Sequence, residues 1–229
     1  MMFYAPYLTA DTADFILDEE EARHCVRVLR KNDGDQINLL DGKGGYYCAE
    51  IKVAAIKNCL LKVLTYEFHQ PEPMVHVAVA PTKNMSRLEW LLEKGTELGC
   101  THFSLIQTKR TERNSMNMER MSKIMVSAMK QSQRYYLPKL DAPIAFAKFI
   151  EANPGGWIAH CCEPVKQSRI EAHIERRILI GPEGDFTHEE IALASQFHYL
   201  PISLGAARLR TETAALKSII MLEALREPG

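Results

Sequence analysis

The chain has 229 residues, 46% of them hydrophobic, and a formal net charge of −1. That length and apolar content exclude a disordered chain and leave room for one large or two modest folded domains. The near-zero charge excludes a global pull toward nucleic acid or membrane, so any such affinity has to be local.

The six cysteines, at 25, 48, 59, 100, 161 and 162, contain no CxxC pair, which argues against a zinc site or a thioredoxin-type motif. They read as buried free thiols. "MMFYAPYL" has neither the basic segment nor the apolar core of a secretory signal, and no later run reaches the roughly 18 apolar residues of a membrane span. The expectation is a cytoplasmic protein with no membrane segment.

In chain order, "DGDQINLLDGKGGYYCAEIKVAAIKNCLLKVLTYEF" alternates around Ile37 and Leu39, turns at Asp41 to Gly45, and resumes with Tyr47, Ala49, Ile51 and Val53. This predicts a hairpin within a small β-barrel. "HQPEPMV" brings two prolines where the pattern changes and serves as a linker, so the predicted boundary separates residues 1–72 from 73–229. "MVHVAVAP" is then a strand, and "SRLEWLLEKGTELG" a helix with Leu88, Leu91, Leu92 and Leu98 at helical spacing. "HFSLIQT" is the next strand. "MNMERMSKIMVSAMKQSQRYYLP" predicts a long amphipathic helix whose Met118, Met121, Met125 and Ala128 share a core face. "GWIAHCC", "RRILIGP" and "YLPISLG" complete a parallel α/β sheet.

Ligands of such sheets sit beyond the carboxyl ends of the strands, where "HCCE", "GPEG" and "LGAARLR" all fall. Between Gly181 and Gly184 there are only Pro182 and Glu183, which fits neither a dinucleotide fingerprint nor a phosphate loop. Glu183 repels anions, so the turn is suited to a neutral or cationic ligand approached by backbone. The same stretch also reads as a tight turn followed by a capping box, Thr187 to Glu190. The helix after "LGAARLR" is apolar on nearly every side and needs a partner surface.

"LIGPEGDFTHEEI" followed by "ISLGAARLRTETAAL" resembles the paired signature of the RsmE family within the SPOUT methyltransferases. "KNMSRLEWLLEKGTELGC", "TERNS", "MKQSQRYYLP" and "HCVRVLRKNDGDQINLLDGKGGYYCAEI" extend the resemblance over nearly the whole chain. It implies a PUA-like β-barrel RNA-binding domain followed by an α/β domain with a deep carboxyl-terminal trefoil knot. It further implies a homodimer that uses S-adenosyl-L-methionine to methylate N3 of a uridine in 16S ribosomal RNA, within the small ribosomal subunit. By motif, Ile180, Gly181, Glu183 and Gly184 are implied as one wall of the cofactor pocket and Leu204, Gly205, Ala206 and Leu209 as the other. The chain departs from the family pattern at Ala207, where many relatives have arginine, at Arg208, where they have isoleucine, and in lacking an arginine within its first few residues.

Uracil N3 becomes a nucleophile only as its weakly acidic proton leaves. Arg210 is the candidate for stabilising charge on a uracil oxygen, and Glu212 for orienting Arg210 or accepting the proton, beside a capping or dimer-contact role. No metal is expected, because the sulfonium departs unaided. Between Lys83 and Lys139, eleven lysines and arginines face five glutamates, a local balance of +6. Such runs are commonly solvated helix faces, but Lys83, Lys94, Arg110, Arg113 and Arg134 are candidates for RNA phosphates, as are His24, Arg27 and Arg30 at helical spacing of three in the first domain. The other readings are an RNA-binding or ribosome-assembly module without chemistry of its own and a SPOUT enzyme acting on transfer RNA.

Overall fold

The structure is a computed structural model that describes residues 2–112, 116–162, 170–171 and 174–225. The chain forms two compact units that interleave in sequence: Met1–Glu72 with Val126–Leu137, and Pro73–Met125 with Pro138–Gly229.

In the first unit β1 (Met2–Tyr4), β2 (Asp14–Leu17), β3 (Gln36–Leu40), β4 (Gly45–Val53) and β5 (Cys59–Phe68) make a barrel-like sheet in the order β1-β3-β4-β5-β2. The β3–β4 hairpin alternates as the sequence predicts, with Tyr47, Ala49 and Ile51 buried. Its turn is held by Asp41, whose Oδ1 accepts from the amides of Lys43 (2.7 Å) and Gly45 (2.9 Å). Gly42 and Gly44 have φ of 74° and 103°, a region glycine enters without steric cost. Between β2 and β3, α1 (Glu19–Arg23), capped by Asp18, runs into a π-helical turn, His24–Val28. The Val126–Leu137 segment closes this unit: the Gly44 amide donates to the Tyr135 carbonyl (3.0 Å), the Leu137 amide to Gly42 (2.9 Å), and the Tyr136 hydroxyl to His69 (2.9 Å). Lys130 pairs with Glu21, a carboxyl raised above its usual range by burial and held down in part by that lysine.

The second unit is a six-stranded parallel sheet. In chain order it contains β6 (His76–Val79), α2 (Met85–Glu97), β7 (His102–Gln107) and α3 (Met118–Ser132), whose last turns belong to the first unit. There follow β8 (Lys139–Ala145), α4 (Phe146–Ala152), β9 (Gly156–Ala159), β10 (Arg177–Ile180), α5 (His188–Gln196), β11 (Tyr199–Ile202) and α6 (Thr211–Glu223). The order is β11-β9-β10-β6-β7-β8 with every pair parallel. Central strands covered on both faces are continuous apolar runs, and β6 and β10 are buried at every position. In α2, Asn84 caps the start while Leu88, Leu91 and Leu92 face inward; Gly95 lets Phe103 approach its backbone. Met121, Met125 and Ala128 are buried on one face of α3, and Met118 is half-buried. The nearly all-apolar α6 is accommodated by packing against α2, β6 and β10 together.

Candidate active site

Three loops leave the carboxyl ends of β9, β10 and β11, which are neighbours in the sheet, and enclose a cavity of about 650 Å3. Its volume lies within the range of small-molecule sites. Ala159, His160 and Cys161 line it from β9, Ile180 to Glu183 and Asp185 from β10, and Ile202 to Thr211 from β11. The sequence-predicted residues Ile180, Gly181, Glu183, Leu204, Gly205, Ala206 and Leu209 are all on this wall.

Gly184 is not among the lining residues. A Cβ added there would meet the aliphatic stem of Arg110 at 3.2 Å, and one added to Gly181 would meet the Phe186 ring and amide at 3.1 to 3.3 Å. Both glycines leave room for protein atoms. The residue that takes the left-handed backbone is Asp185, with φ of 64°.

The turn is anchored on several sides. Glu183 Oε1 accepts from the Lys83 amide (3.1 Å), and Arg110 Nη1 donates to the Gly184 carbonyl (2.5 Å). Thr211 Oγ1 donates to the Gly181 carbonyl (3.1 Å), fastening the start of α6 to the turn. The capping box forms as the sequence suggests, Thr187 with Glu190, and Glu190 also accepts from the Lys109 amide (2.8 Å). The two readings of "GPEGDFTHEE" therefore coexist, since the capped turn is itself the wall.

Arg208 and Arg210 line the cavity and are exposed, and the acidic Glu183 and Asp185 line it as well. Glu212 lies outside the lining; it is buried, with its carboxylate 3.6 Å from Arg87 Nε on α2. The sequence places His160 at this edge within "HCCE" but gives no sign of Asp185 or Thr211, because contacts across strand ends leave no periodic signal; Cys161, expected to be buried, is exposed, and Cys48 and Cys162 are half-buried.

The basic candidates are dispersed. His24 is half-buried with its ring edge-on to Phe3, whereas Arg27 and Arg30 are exposed. A π-turn closes i to i+5, so a spacing of three does not define one stripe there. Lys83 pairs with Glu112 (2.6 Å), Lys94 with Glu93 and Glu97 (2.7 and 2.8 Å), and, in the first unit, Arg134 with Glu72 (2.7 Å). Glu93, Glu97 and Glu112 are already subtracted in the +6 balance, so of these pairs Arg134–Glu72 alone offsets it, and exposed pairs of this kind are individually weak. Arg113 lies outside the described residues.

At the opposite, amino-terminal edge of the sheet, His76, His102 and Asp141 bring three potential metal-ligand atoms within 4.8 Å. Arg177 Nε donates to His76 Nδ1 (3.1 Å), which leaves the proton on Nε2 facing Ser104 Oγ (2.8 Å); Ser104 in turn donates to Asp141 (2.6 Å), as does His102 Nε2 (2.5 Å). The two imidazoles are parallel at 3.8 Å, so their lone pairs run side by side instead of converging. The cluster is a hydrogen-bond relay. Burial, then His102 and Arg177, push His76 down to about 2. Burial also lowers His102, while hydrogen bonds from Lys139, Ser104 and His102 overcome burial to hold Asp141 at about 2.

An RNA methyltransferase domain family matches residues 70–223, and an RNA methyltransferase PUA domain family matches residues 17–64. A Synechocystis protein named ribosomal RNA small subunit methyltransferase E is 32% identical over 227 residues, covering 94% of this chain and 74% of its own. The chain belongs to the RsmE family of RNA methyltransferases. The crystal structure of a probable rRNA-methyltransferase from Porphyromonas gingivalis is 36% identical, with a TM-score of 0.88 over 98% of this chain and 97% of that one. That of a ribosomal RNA small subunit methyltransferase E from Neisseria gonorrhoeae, bound to S-adenosyl methionine, is 25% identical, with a TM-score of 0.88 over 98% and 97%. The methyltransferase thus matches these relatives through both units, and among its described residues no helix is long and apolar enough to cross a membrane.

Proposed function

We propose that this RNA methyltransferase uses S-adenosyl-L-methionine to methylate N3 of a uridine in 16S small-subunit ribosomal RNA. The observation that carries the reading is the cavity beyond β9, β10 and β11, in a chain whose Neisseria gonorrhoeae relative is bound to that cofactor. The residues present fit the group: Ile180, Leu204, Ala206 and Leu209 offer apolar surface, and Glu183 complements a cationic ligand. When bound, the cofactor supplies an electrophilic methyl group whose bond to sulfur breaks as the bond to N3 forms.

The chain's own task is to bring N3 in line and to favour loss of its proton. Arg210, exposed on the cavity wall immediately before α6, donates to a uracil oxygen and stabilises the imide anion. Glu212 acts from behind that wall: paired with Arg87, it positions the start of α6 and leaves proton removal to solvent or RNA. No metal enters this scheme.

Residues 1–72 act as the RNA-binding domain and 73–229 as the catalytic one, with His24, Arg27, Arg30, Lys83, Lys94, Arg110, Arg113 and Arg134 meeting phosphates. Surface pairs such as Lys83–Glu112 exchange their carboxylate for phosphate at small cost. A trefoil-knotted path is supported by the order of the strands: β11 lies outside β9, yet the chain returns past the Gly181 carbonyl to pack α6 on β6, β10 and α2. Homodimerisation is supported by Trp90 on α2 and Ile220 on α6, apolar and exposed on helices that pack together. Action in the cytoplasm, on RNA within the small subunit, completes the proposal.

The test is transfer of label from S-adenosyl-L-methionine to small subunits, free 16S RNA and transfer RNA, followed by mass spectrometry of the nucleosides. N3-methyluridine from ribosomal RNA is expected. Label only in transfer RNA, or in none, would overturn the proposal.

A further inference from the structure

Asp185 is the residue of the cavity wall whose backbone and side chain are most at odds. Its φ of 64° lies where a Cβ is disfavoured, whereas Gly181 and Gly184 in the same turn take no positive φ. Glycine would be the relaxed choice at 185.

The carboxylate accounts for the exception. Oδ1 accepts from the Phe186 amide within the turn (2.8 Å), and Oδ2 accepts from the Cys161 amide across to the loop after β9 (2.7 Å). Cys161, with Ala159 and His160, is the cavity wall on that side. Bonds from amides to an ionised oxygen are among the stronger kind. One strained residue therefore joins two walls that the sheet holds together only at the strand ends.

We propose that Asp185 is a positioning residue of the cofactor site, its carboxylate clamping the loop after β9 to the turn after β10 and so setting the width of the cavity. This rests on the cavity being the S-adenosyl-L-methionine site. Glycine at 185 removes strain and clamp together, so stability and cofactor binding move in different directions. Asparagine tolerates the backbone but keeps one acceptor oxygen, and falls between.

The experiment compares full-length wild type, Asp185→Gly and Asp185→Asn. It measures melting temperature, S-adenosyl-L-methionine affinity by calorimetry, KM and kcat for methylation, and the rate of Cys161 alkylation by a maleimide, located by peptide mass spectrometry. In Asp185→Gly the melting temperature holds or rises, while cofactor affinity falls on the order of tenfold, the loss of a charge-assisted hydrogen bond. KM for the cofactor rises in step, kcat holds, and Cys161 reacts faster; Asp185→Asn is intermediate. Wild-type affinity and an unchanged Cys161 rate in Asp185→Gly would overturn the proposal, and so would a melting temperature that falls together with affinity. Should the wild type bind no S-adenosyl-L-methionine, the cofactor reading fails by itself, and the Cys161 rate still decides whether the clamp exists.

Discussion

Arg210 and the two glycines of the "GPEG" turn differ in what their side-chain positions face, and the consequences of replacing them differ accordingly. Arg210 is exposed on the cavity wall. Replacing Arg210 with alanine is expected to leave S-adenosyl-L-methionine affinity nearly unchanged and to lower single-turnover methylation on the order of a hundredfold. Lysine rescues little, because a point charge does not reproduce a planar fork, and raising the pH restores part of the rate by supplying the uracil anion. A pH series on pre-formed complexes checks this; equal rates at saturating RNA would make Arg210 a binding residue. Gly181 is packed against Phe186 at 3.1 to 3.3 Å in the buried turn, so Gly181→Ala is expected to cost about 1–3 kcal/mol by overpacking. Gly184→Ala meets only the flexible stem of Arg110 and is expected to change stability by less than about 0.5 kcal/mol. Denaturant unfolding separates the two.

At the scale of elements, the starts of β10, β6, β7 and β8 are wired together by the relay from Arg177 through His76 and Ser104 to Asp141. His76 is held neutral, with its pKa lowered from 6.5 to about 2. The unfolded chain takes up a proton there below pH 6.5 while the folded chain does not, so stability falls as pH drops from about 6.5 toward 2. Asp141, lowered from 3.8 to about 2, stabilises the fold above pH 3.8 and loses that contribution as pH falls through about 2. Both effects have the same sign, and His102, also lowered, adds to them. Urea unfolding between pH 4 and 6 should show a falling stability, and His76→Gln should reduce the slope by about one proton, roughly 1.4 kcal/mol per pH unit. An unchanged slope would remove His76 from the acid response. Strands β6, β7, β9, β10 and β11 were readable as apolar runs, while β8 was not, because "KLDAPIA" is a half-exposed edge strand with polar residues and a proline.

For the whole molecule, the interleaving of the two units governs what truncation does. Residues 1–72 lack the Val126–Leu137 segment that supplies Lys130 to Glu21, the Tyr135 carbonyl to Gly44 and the Tyr135 ring stacked on His69 at 3.4 Å. Alone they are expected to melt well below the full chain, as read by circular dichroism. A chain of residues 73–229 keeps every cavity-lining residue and is expected to bind S-adenosyl-L-methionine while methylating RNA poorly. RNA binding should weaken with salt in both this piece and the full chain, more steeply in the full chain because it neutralises more phosphates. Equal salt slopes and equal activity would refute the division of labour.

Local pattern by itself determined the hairpin of β3 and β4, the core faces of α2 and α3, most of the parallel strands and the two motifs at their carboxyl ends. Each of these is written in neighbouring residues, by alternation, helical spacing or a short signature. Only the tertiary structure decided that β9, β10 and β11 are neighbours, that Val126–Leu137 returns to the first unit, and that Gly184 faces Arg110. It also decided that Asp185, and no glycine of its turn, takes the left-handed backbone to reach an amide 24 residues away. The physical reason is that side-chain periodicity records which face of an element is buried, whereas the partner across a strand end is chosen by topology and by single hydrogen bonds that leave no repeat in the chain.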